Sequence, residues 1–348
     1  MLKAAAEFAA AGCSVVRANI DGSKAPMGKW LEYCESAPSI EQVIEWFKNG
    51  HEGMGVITGA VSGNLECLEM EGRAVADKLH ITAKDIADAS GLGELWAKIN
   101  SGYVEQSPSG GIHWLYRISN PPEQFPGNTK IAQRPGQNDQ VEVLVETRGH
   151  HGFIITAPSG GTTHPSGKSW DLIAGSPSQI PIITMEEREA LHDIFKALDQ
   201  MPVKESLAED IKVVSESTGE KPGDDFNRKA NWFDILVPVG WKFAFKDRSG
   251  ICYWTRPGKD FGVSATTGKN EGDNLYVFSS STTFEVGRPY SKFAAYTHLH
   301  FAGDFSGAAR ELRRQGFGKI HAVPDFNELQ EFNPMISGEN VIALKSAE

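Results

Sequence analysis

Between Asn64 and Gly72 the chain runs Leu65-Glu66-Cys67-Leu68-Glu69-Met70-Glu71. A β-strand turns alternate side chains to opposite faces. Glu69 and Glu71 therefore share one face, while Leu68 and Met70 point the other way, into a core. Glu66 faces away from the pair and makes a poor third ligand. Adjacent carboxylates repel one another and persist at neutral pH chiefly where a cation neutralises them, and hard divalent ions choose oxygen ligands. An exposed strand face with two solvated glutamates fits the same pattern.

Two further stretches could converge on that strand. The Ser/Gly turn Gln106-Ser107-Pro108-Ser109-Gly110-Gly111 opens into Ile112-His113-Trp114-Leu115-Tyr116-Arg117. Ile112, Trp114 and Tyr116 share one face of that strand, and His113, Leu115 and Arg117 share the other. Such a turn offers backbone N–H groups to phosphate, and His113 and Arg117 can add donors; a lone strand histidine can equally be structural. In Val141-Glu142-Val143-Leu144-Val145-Glu146-Thr147-Arg148, residues Glu142, Leu144 and Glu146 share a face if the strand is regular. Glu146 sits at its end, beside the turn Gly149-His150-His151-Gly152. It could complete a three-carboxylate site with Glu69 and Glu71, in which two ions roughly 3.5–4 Å apart clamp an attacking and a leaving oxygen. Adjacent His150 and His151 point apart, so at most one faces the site.

The order of elements around these stretches is helical first and strand-rich afterwards. A helix near 2–11 precedes a strand at 13–17, and Ser39 caps a helix that runs to Trp46-Phe47. Strands are expected at 55–58, 65–71, 103–107, 112–118, 141–146 and 152–156, with helix near 73–100. This pattern reads as α+β with a mixed antiparallel sheet. The domain reading is a catalytic domain over 1–185, a helix and polar linker over 186–230, a small basic α/β, β-rich domain over 231–318 ending in the helix Phe305–Gln315, and a tail over 319–348.

Taken together, the acidic pair, a Ser-Gly-x-His strand about forty residues on and a third acid with Arg-Gly beyond it resemble the archaeo-eukaryotic primase superfamily. Within it the chain is similar to the primase–polymerase (RRM-like) domain of phages and plasmids. Lys24-Ala25-Pro26 with Trp30, Gly55-Val56-Ile57-Thr58-Gly59, Ser62-Gly63-Asn64-Leu65 and Ala157-Pro158-Ser159 extend the resemblance over 1–185. The resemblance implies that Glu69, Glu71 and Glu146 bind two Mg²⁺ or Mn²⁺ ions and that His113 contacts an incoming dNTP or NTP. Ser107, Ser109 and Gly110 would line its phosphates, and on charge grounds Arg117, Lys130 and Arg148 are further donors. The family usually carries Asp at the first and third acidic positions, where this chain has Glu69 and Glu146. An extra methylene moves a carboxylate by about 1.5 Å, so the site could be slower, favour Mn²⁺ or be idle.

The net charge of −11 argues weakly against nucleic acid, but it is unevenly spread. From Lys221 to Lys319 fifteen Lys and Arg face ten Asp and Glu, leaving nineteen against thirty-five elsewhere. A basic module beside an acidic one suits a partner such as single-stranded DNA. Cys13, Cys34, Cys67 and Cys252 form no C-x-x-C pair and have no histidine at ligand spacing, so no zinc is expected. Nothing reads as a membrane span or a signal peptide. The expected location is the cytoplasm of an infected bacterium.

Residues 231–318 resemble a segment of actinobacteriophage replication primases, through Asn231-Trp232, Gly240-Trp241, Tyr253-Trp254-Thr255-Arg256-Pro257-Gly258-Lys259 and Val277-Phe278-Ser279-Ser280-Ser281. In those proteins a helicase domain follows; no Walker loop is present here, so a helicase is an expected partner in a longer protein. The order also resembles a primase zinc ribbon that has lost its cysteines. Tyr253, Trp254, Arg256 and Lys259 could stack and pair with single-stranded DNA, or form the core of the small domain. The function expected is template-dependent DNA priming and polymerisation. The alternatives are a catalytically silent DNA-binding module that recruits a helicase, and a metal-dependent nuclease.

Overall fold

The computed structural model describes residues 1–122, 126–202 and 220–318. The first half runs α1 (Leu2–Ala10), β1 (Ser14–Arg17), α2 (Ile40–Phe47), β2 (Met54–Ile57), β3 (Leu65–Met70), α3 (Gly72–Ala76), α4 (Leu79–Ala89) and α5 (Gly93–Ser101). It continues with β4 (Tyr103–Gln106), β5 (Ile112–Ile118), β6 (Thr129–Pro135), β7 (Val141–Arg148), β8 (Phe153–Ile155), β9 (Asp171–Ala174), β10 (Ile182–Ile183) and α6 (Met185–Lys196). The expected N-cap is present: the Ser39 hydroxyl accepts from the Gln42 N–H at 3.2 Å, satisfying a donor that the first turn leaves orphaned.

Two sheets form, and the α+β class holds. A small antiparallel sheet has the order β1-β2-β8. The large sheet has the order β6-β7-β3-β5-β4-β9, antiparallel throughout, with β10 added parallel to the end of β5. Strand alternation gives the large sheet two distinct faces. Leu68, Met70, Trp114 and Tyr116 project onto α4, α5 and α6 and are buried with Ala83, Ile86, Leu95 and Ile99. Leu65, Cys67, Tyr103 and Leu115 project the other way and pack with Phe8, Val43, Phe47, Val15 and Met54 from α1, α2 and the small sheet. Burying each such side chain contributes about 1.5–3 kcal/mol.

β6 and β9 were not expected. β6 ends on Pro135 and changes register twice against β7, and β9 leaves Leu172 and Ile173 about half exposed. Both are sheet-edge or bulged strands, which carry a weak alternating signal.

α6 opens the region read as a linker over 186–230, yet it belongs to the first core. Ala190, Leu191, Ile194 and Phe195 are buried, at the spacing of one helix face. The Phe195 ring lies 6.1 Å from Trp96 and 5.8 Å from Trp114, centroid to centroid. Thr184 and Glu187 form a capping box at its start. The packing of the first unit therefore extends beyond 185. Residues 203–219 of the expected linker, and the expected tail 319–348, lie outside the described residues.

The second half contains α7 (Pro222–Lys229), α8 (Trp232–Leu236), β11 (Lys242–Lys246), β12 (Cys252–Thr255), β13 (Ala265–Thr267), β14 (Leu275–Val277), β15 (Pro289–Tyr290), α9 (Lys292–Phe301) and α10 (Phe305–Arg314). β11 to β15 form a five-stranded antiparallel meander. Its core gathers Trp232, Trp241, Trp254, Leu275, Val277, Phe284 and Tyr290. Of the two readings for Tyr253 and Trp254, burial prevails: they are 3% and 0% exposed. Trp254 fills the unit's own core, whereas Tyr253, on the opposite face of β12, joins Val263 and Phe278 against the helical side of the first unit. Lys259 is likewise unavailable to DNA. It is buried, with its ammonium 3.0 Å from Asp193 Oδ2 on α6 and 3.2 Å from the Val263 carbonyl. The Gly262 N–H also donates to the Ser90 carbonyl at 2.7 Å. Among the described residues no helix is long and apolar enough to cross a membrane.

Candidate catalytic and metal site

Strand register builds the site. Glu69 on β3 is the direct partner of Glu146 on β7 and of His113 on β5, and His113 is the direct partner of Glu105 on β4. Four ionisable side chains thus cross four neighbouring strands in one row, on the face that looks towards the small sheet. Glu71 follows two residues after Glu69, just beyond β3, and its N–H is fixed to the Leu144 carbonyl at 2.9 Å. Glu69, Glu71 and Glu146 each offer a carboxylate oxygen, and these atoms lie within 4.8 Å of one another.

The charges in this row are unequal. Burial works against a charged Glu69, yet His113 and Arg148 outweigh it and hold the carboxyl at about 2. Burial pushes Glu71 up, and the neighbouring Glu69 pushes it further. Burial also raises Glu146; Arg148 opposes that rise, while Glu69 and Glu71 add to it. Arg148 lies 3.4 Å from Glu69 Oε2 through Nε and pairs with Glu146 through Nη2. Burial first, and then the mutual repulsion of the acids, makes Glu71 and Glu146 resist ionisation despite the neighbouring basic groups, which leaves a deficit of counter-charge. A hard divalent cation with oxygen ligands fits that deficit, and the all-oxygen donor set suits Mg²⁺ or Mn²⁺ better than a soft metal.

His113 is 4% exposed. Its Nδ1 lies 2.8 Å from Glu105 Oε1, and because a carboxylate can only accept, Nδ1 carries the proton. Nε2 lies 3.3 Å from Glu69 Oε1 but makes no aligned hydrogen bond. Burial depresses the imidazolium, but Glu69 and Glu105 together prevail and hold it at about 10.

The Ser/Gly turn sits directly on this cluster. The Ser107 N–H donates to the Gly111 carbonyl at 2.8 Å, and the Ser107 hydroxyl accepts from the Gly111 N–H at 3.0 Å. Gly110 has φ +85°, which glycine adopts freely. A β-carbon on Gly72 would lie 1.9 Å from the Ser109 carbonyl oxygen, so only glycine lets the turn approach the residue after Glu71. Beside the turn runs an open polar groove of about 770 Å³, lined by Gln106–Gly110 on one wall and by Gly161, Gly167, Lys168, Ser169 and Asp171 on the other. His164 reaches across, with Nε2 3.3 Å from the Ser109 hydroxyl.

The remaining expected residues divide. Lys130 is the strand partner of Glu146 and exposed, and it helps to hold down the Glu146 carboxyl. Arg117 is a correction. It shares the His113 face but lies four residues, about 13 Å, along β5. There its guanidinium donates to the Ser62 carbonyl at 3.1 Å and to the Ala11 carbonyl. It ties α1 to the sheet and does not reach the groove. Glu66 faces away as expected, and Arg188 donates to its two oxygens at 2.7 and 2.6 Å. Glu142 pairs with Arg134 at 2.7 Å, outside the cluster. The His150 and His151 rings stack at 3.7 Å, and His151 Nε2 is 3.2 Å from Glu35 Oε1; neither belongs to the cluster.

Sequence reasoning missed Glu105, His164 and Lys168. Glu105 was within reach: counting back across the turn from the Ser107–Gly111 closure sets it opposite His113. His164 and Lys168 lie in an aperiodic loop with no such signal.

Comparison with known proteins agrees with the geometry. No curated protein matches the chain. The family model described as "Bifunctional DNA primase/polymerase, N-terminal" (Prim-Pol) matches residues 5–203, more than half of the 348. That span takes in β1 to β10, the whole ionisable row and α6. The chain therefore belongs to the Prim-Pol family of bifunctional DNA primase/polymerases.

Proposed function

We propose that this chain catalyses template-directed nucleotidyl transfer, extending a primer 3′-hydroxyl or an initiating nucleotide. The 3′-oxygen attacks the α-phosphorus of a nucleoside triphosphate and pyrophosphate departs, its bond to that phosphorus breaking as the new ester forms. Glu69, Glu71 and Glu146 would hold two divalent ions, Mg²⁺ or Mn²⁺, which lower the pKa of the attacking hydroxyl and neutralise charge on the departing group. His113 Nε2, which makes no aligned hydrogen bond, would donate to a phosphate oxygen once the cluster opens to admit the nucleotide. Arg148 orients Glu69 and Glu146. The groove beside Ser107, Ser109 and Gly110 offers backbone and hydroxyl donors to the rest of the triphosphate, with His164 and Lys168 on the opposite wall. Little bond-making falls to the protein, which positions and neutralises.

The observation that carries this reading is the convergence of the three carboxylates, with Glu69 at direct strand register with both Glu146 and His113. A setting in phage DNA replication, on a single-stranded template, rests on the resemblance of residues 231–318. The test is incorporation of labelled nucleotide on a single-stranded template with Mg²⁺ or Mn²⁺. Wild type yields extended or de novo product and Glu71→Gln yields none. Product formation unchanged in Glu71→Gln removes the site. Template degradation in the absence of nucleotides favours a nuclease instead.

A further inference from the structure

Glu105 is the one carboxylate of the ionisable row outside the Glu69–Glu71–Glu146 cluster. It is completely buried, and a buried carboxylate is costly unless its lone pairs are satisfied. Its Oε2 accepts from the Tyr103 hydroxyl at 2.7 Å and from the Ala157 N–H at 2.7 Å. Ala157 is itself held in place nearby, since the Ser159 hydroxyl accepts from the Met54 N–H and donates to the Met54 carbonyl, each at 2.9 Å. One oxygen of Glu105 is thereby fixed from two directions. The other is left for a single partner, the His113 Nδ1–H at 2.8 Å.

This geometry points to Glu105 as the positioning residue of His113. It holds the Nδ1–H and locks the ring direction, so that Nε2 faces Glu69 of the carboxylate cluster, 3.3 Å away. A carboxylate on the far nitrogen of a metal-bound imidazole fixes ring orientation in this way, and its removal typically lowers affinity or activity by about 10- to 100-fold; a loss on the same scale is expected for this ring. The proposal concerns ring direction. Its consequence for nucleotide binding rests on the polymerase reading above.

The test uses the full chain with Glu105→Gln, His113→Ala and the double variant. In single-nucleotide incorporation, Glu105→Gln is expected to raise the KM for the triphosphate by about 10- to 100-fold, with kcat changed less and the KM for primer–template unchanged. The double variant is expected to match His113→Ala, because Glu105 acts through that ring. An additive double variant, a wild-type KM in Glu105→Gln, or parallel changes in every parameter overturns the proposal.

Nitrogen-15 NMR of the histidine imidazoles, without nucleotide or metal, gives a readout independent of activity. The His113 Nδ1–H is expected to give a sharp, slowly exchanging signal with a strong hydrogen-bond shift in wild type, and a broadened, faster-exchanging one in Glu105→Gln; an unchanged signal overturns the proposal. If the wild type incorporates no nucleotide, the polymerase reading fails while the NMR result still decides the role of Glu105. Tyr103→Phe keeps the charge but frees one anchor of Oε2, and covers the case in which Glu105→Gln does not fold. A broadened or shifted His113 signal is expected there, and a signal identical to wild type overturns the proposal.

Discussion

Glu69 and Glu146 are direct partners across β3 and β7, and one arginine, Arg148, bridges both carboxylates. With Glu71 they form a cluster short of positive charge, so divalent ions are expected to stabilise the fold as well as support the reaction. Saturating Mn²⁺ or Mg²⁺, at about 100 times the dissociation constant, adds about 2.7 kcal/mol, or roughly 5–10 °C in Tm for a domain of this size. Thermal melting with and without a chelator measures this. The shift is expected to vanish in Glu71→Gln, whose incorporation rate falls by about 100-fold or more.

On the opposite face of β3, Glu66 and Arg188 form a buried pair with Tyr116 and His192 around it. Glu66→Gln leaves Arg188 buried without its counter-charge and is expected to destabilise the protein by about 3–5 kcal/mol, read as a lower denaturant midpoint. Burial works to raise Glu66, but His192 and Arg188 outweigh it and hold the carboxyl at about 2, against about 4.3 in an unfolded chain. The folded value is depressed. The contribution is therefore fully present above about pH 4.3 and is lost as pH falls towards 2. Acid unfolding of wild type is expected to steepen across that window, and the Glu66→Gln variant to lack this component.

Arg117 distinguishes anchoring from phosphate binding. Because its guanidinium is spent on the Ser62 and Ala11 carbonyls, Arg117→Met is expected to cost about 1–3 kcal/mol of stability through unsatisfied acceptors. The KM for nucleotide, measured at a temperature where the variant is folded, stays at the wild-type value. A raised KM with unaltered stability would return Arg117 to the phosphate site.

Lys259 ties the second unit to α6. Asp193 keeps Lys196 at 2.9 Å as a second partner, so Lys259→Ala is expected to cost about 1–3 kcal/mol, less than breaking an isolated buried pair. Hydrogen exchange should quicken together at the Gly262 amide and along α6. DNA affinity, measured by fluorescence anisotropy, is expected to remain unchanged.

Much of the site was legible because it lies on strands. Period-two alternation put Glu69 and Glu71 together, turned Glu66 away, and set His113 and Glu146 on faces that could meet. Alternation says which side a residue takes, but not how far along the sheet it stands. Arg117 was therefore grouped with His113 although the two occupy opposite ends of β5. In the second half, Tyr253 and Lys259 carry the same local composition as a DNA-binding surface. What decides between surface and core there is long-range: Tyr253 joins the core cluster of the first unit, and Lys259 pairs with Asp193 on α6, neither of which leaves a local trace. β6 and β9 escaped notice because edge and bulged strands are released from the strict in-out pattern that a buried strand must keep.

The two positions where this chain has glutamate in place of the family's usual aspartate, 69 and 146, stand face to face across one rung of the ladder. Lengthening only one of them would tilt the coordinating oxygens against each other. Lengthening both moves the two facing carboxylates together, so that an ion held by them would meet a matched pair of oxygens. Replacing a single member, by Glu69→Asp or Glu146→Asp, is therefore expected to lower incorporation more than replacing both together.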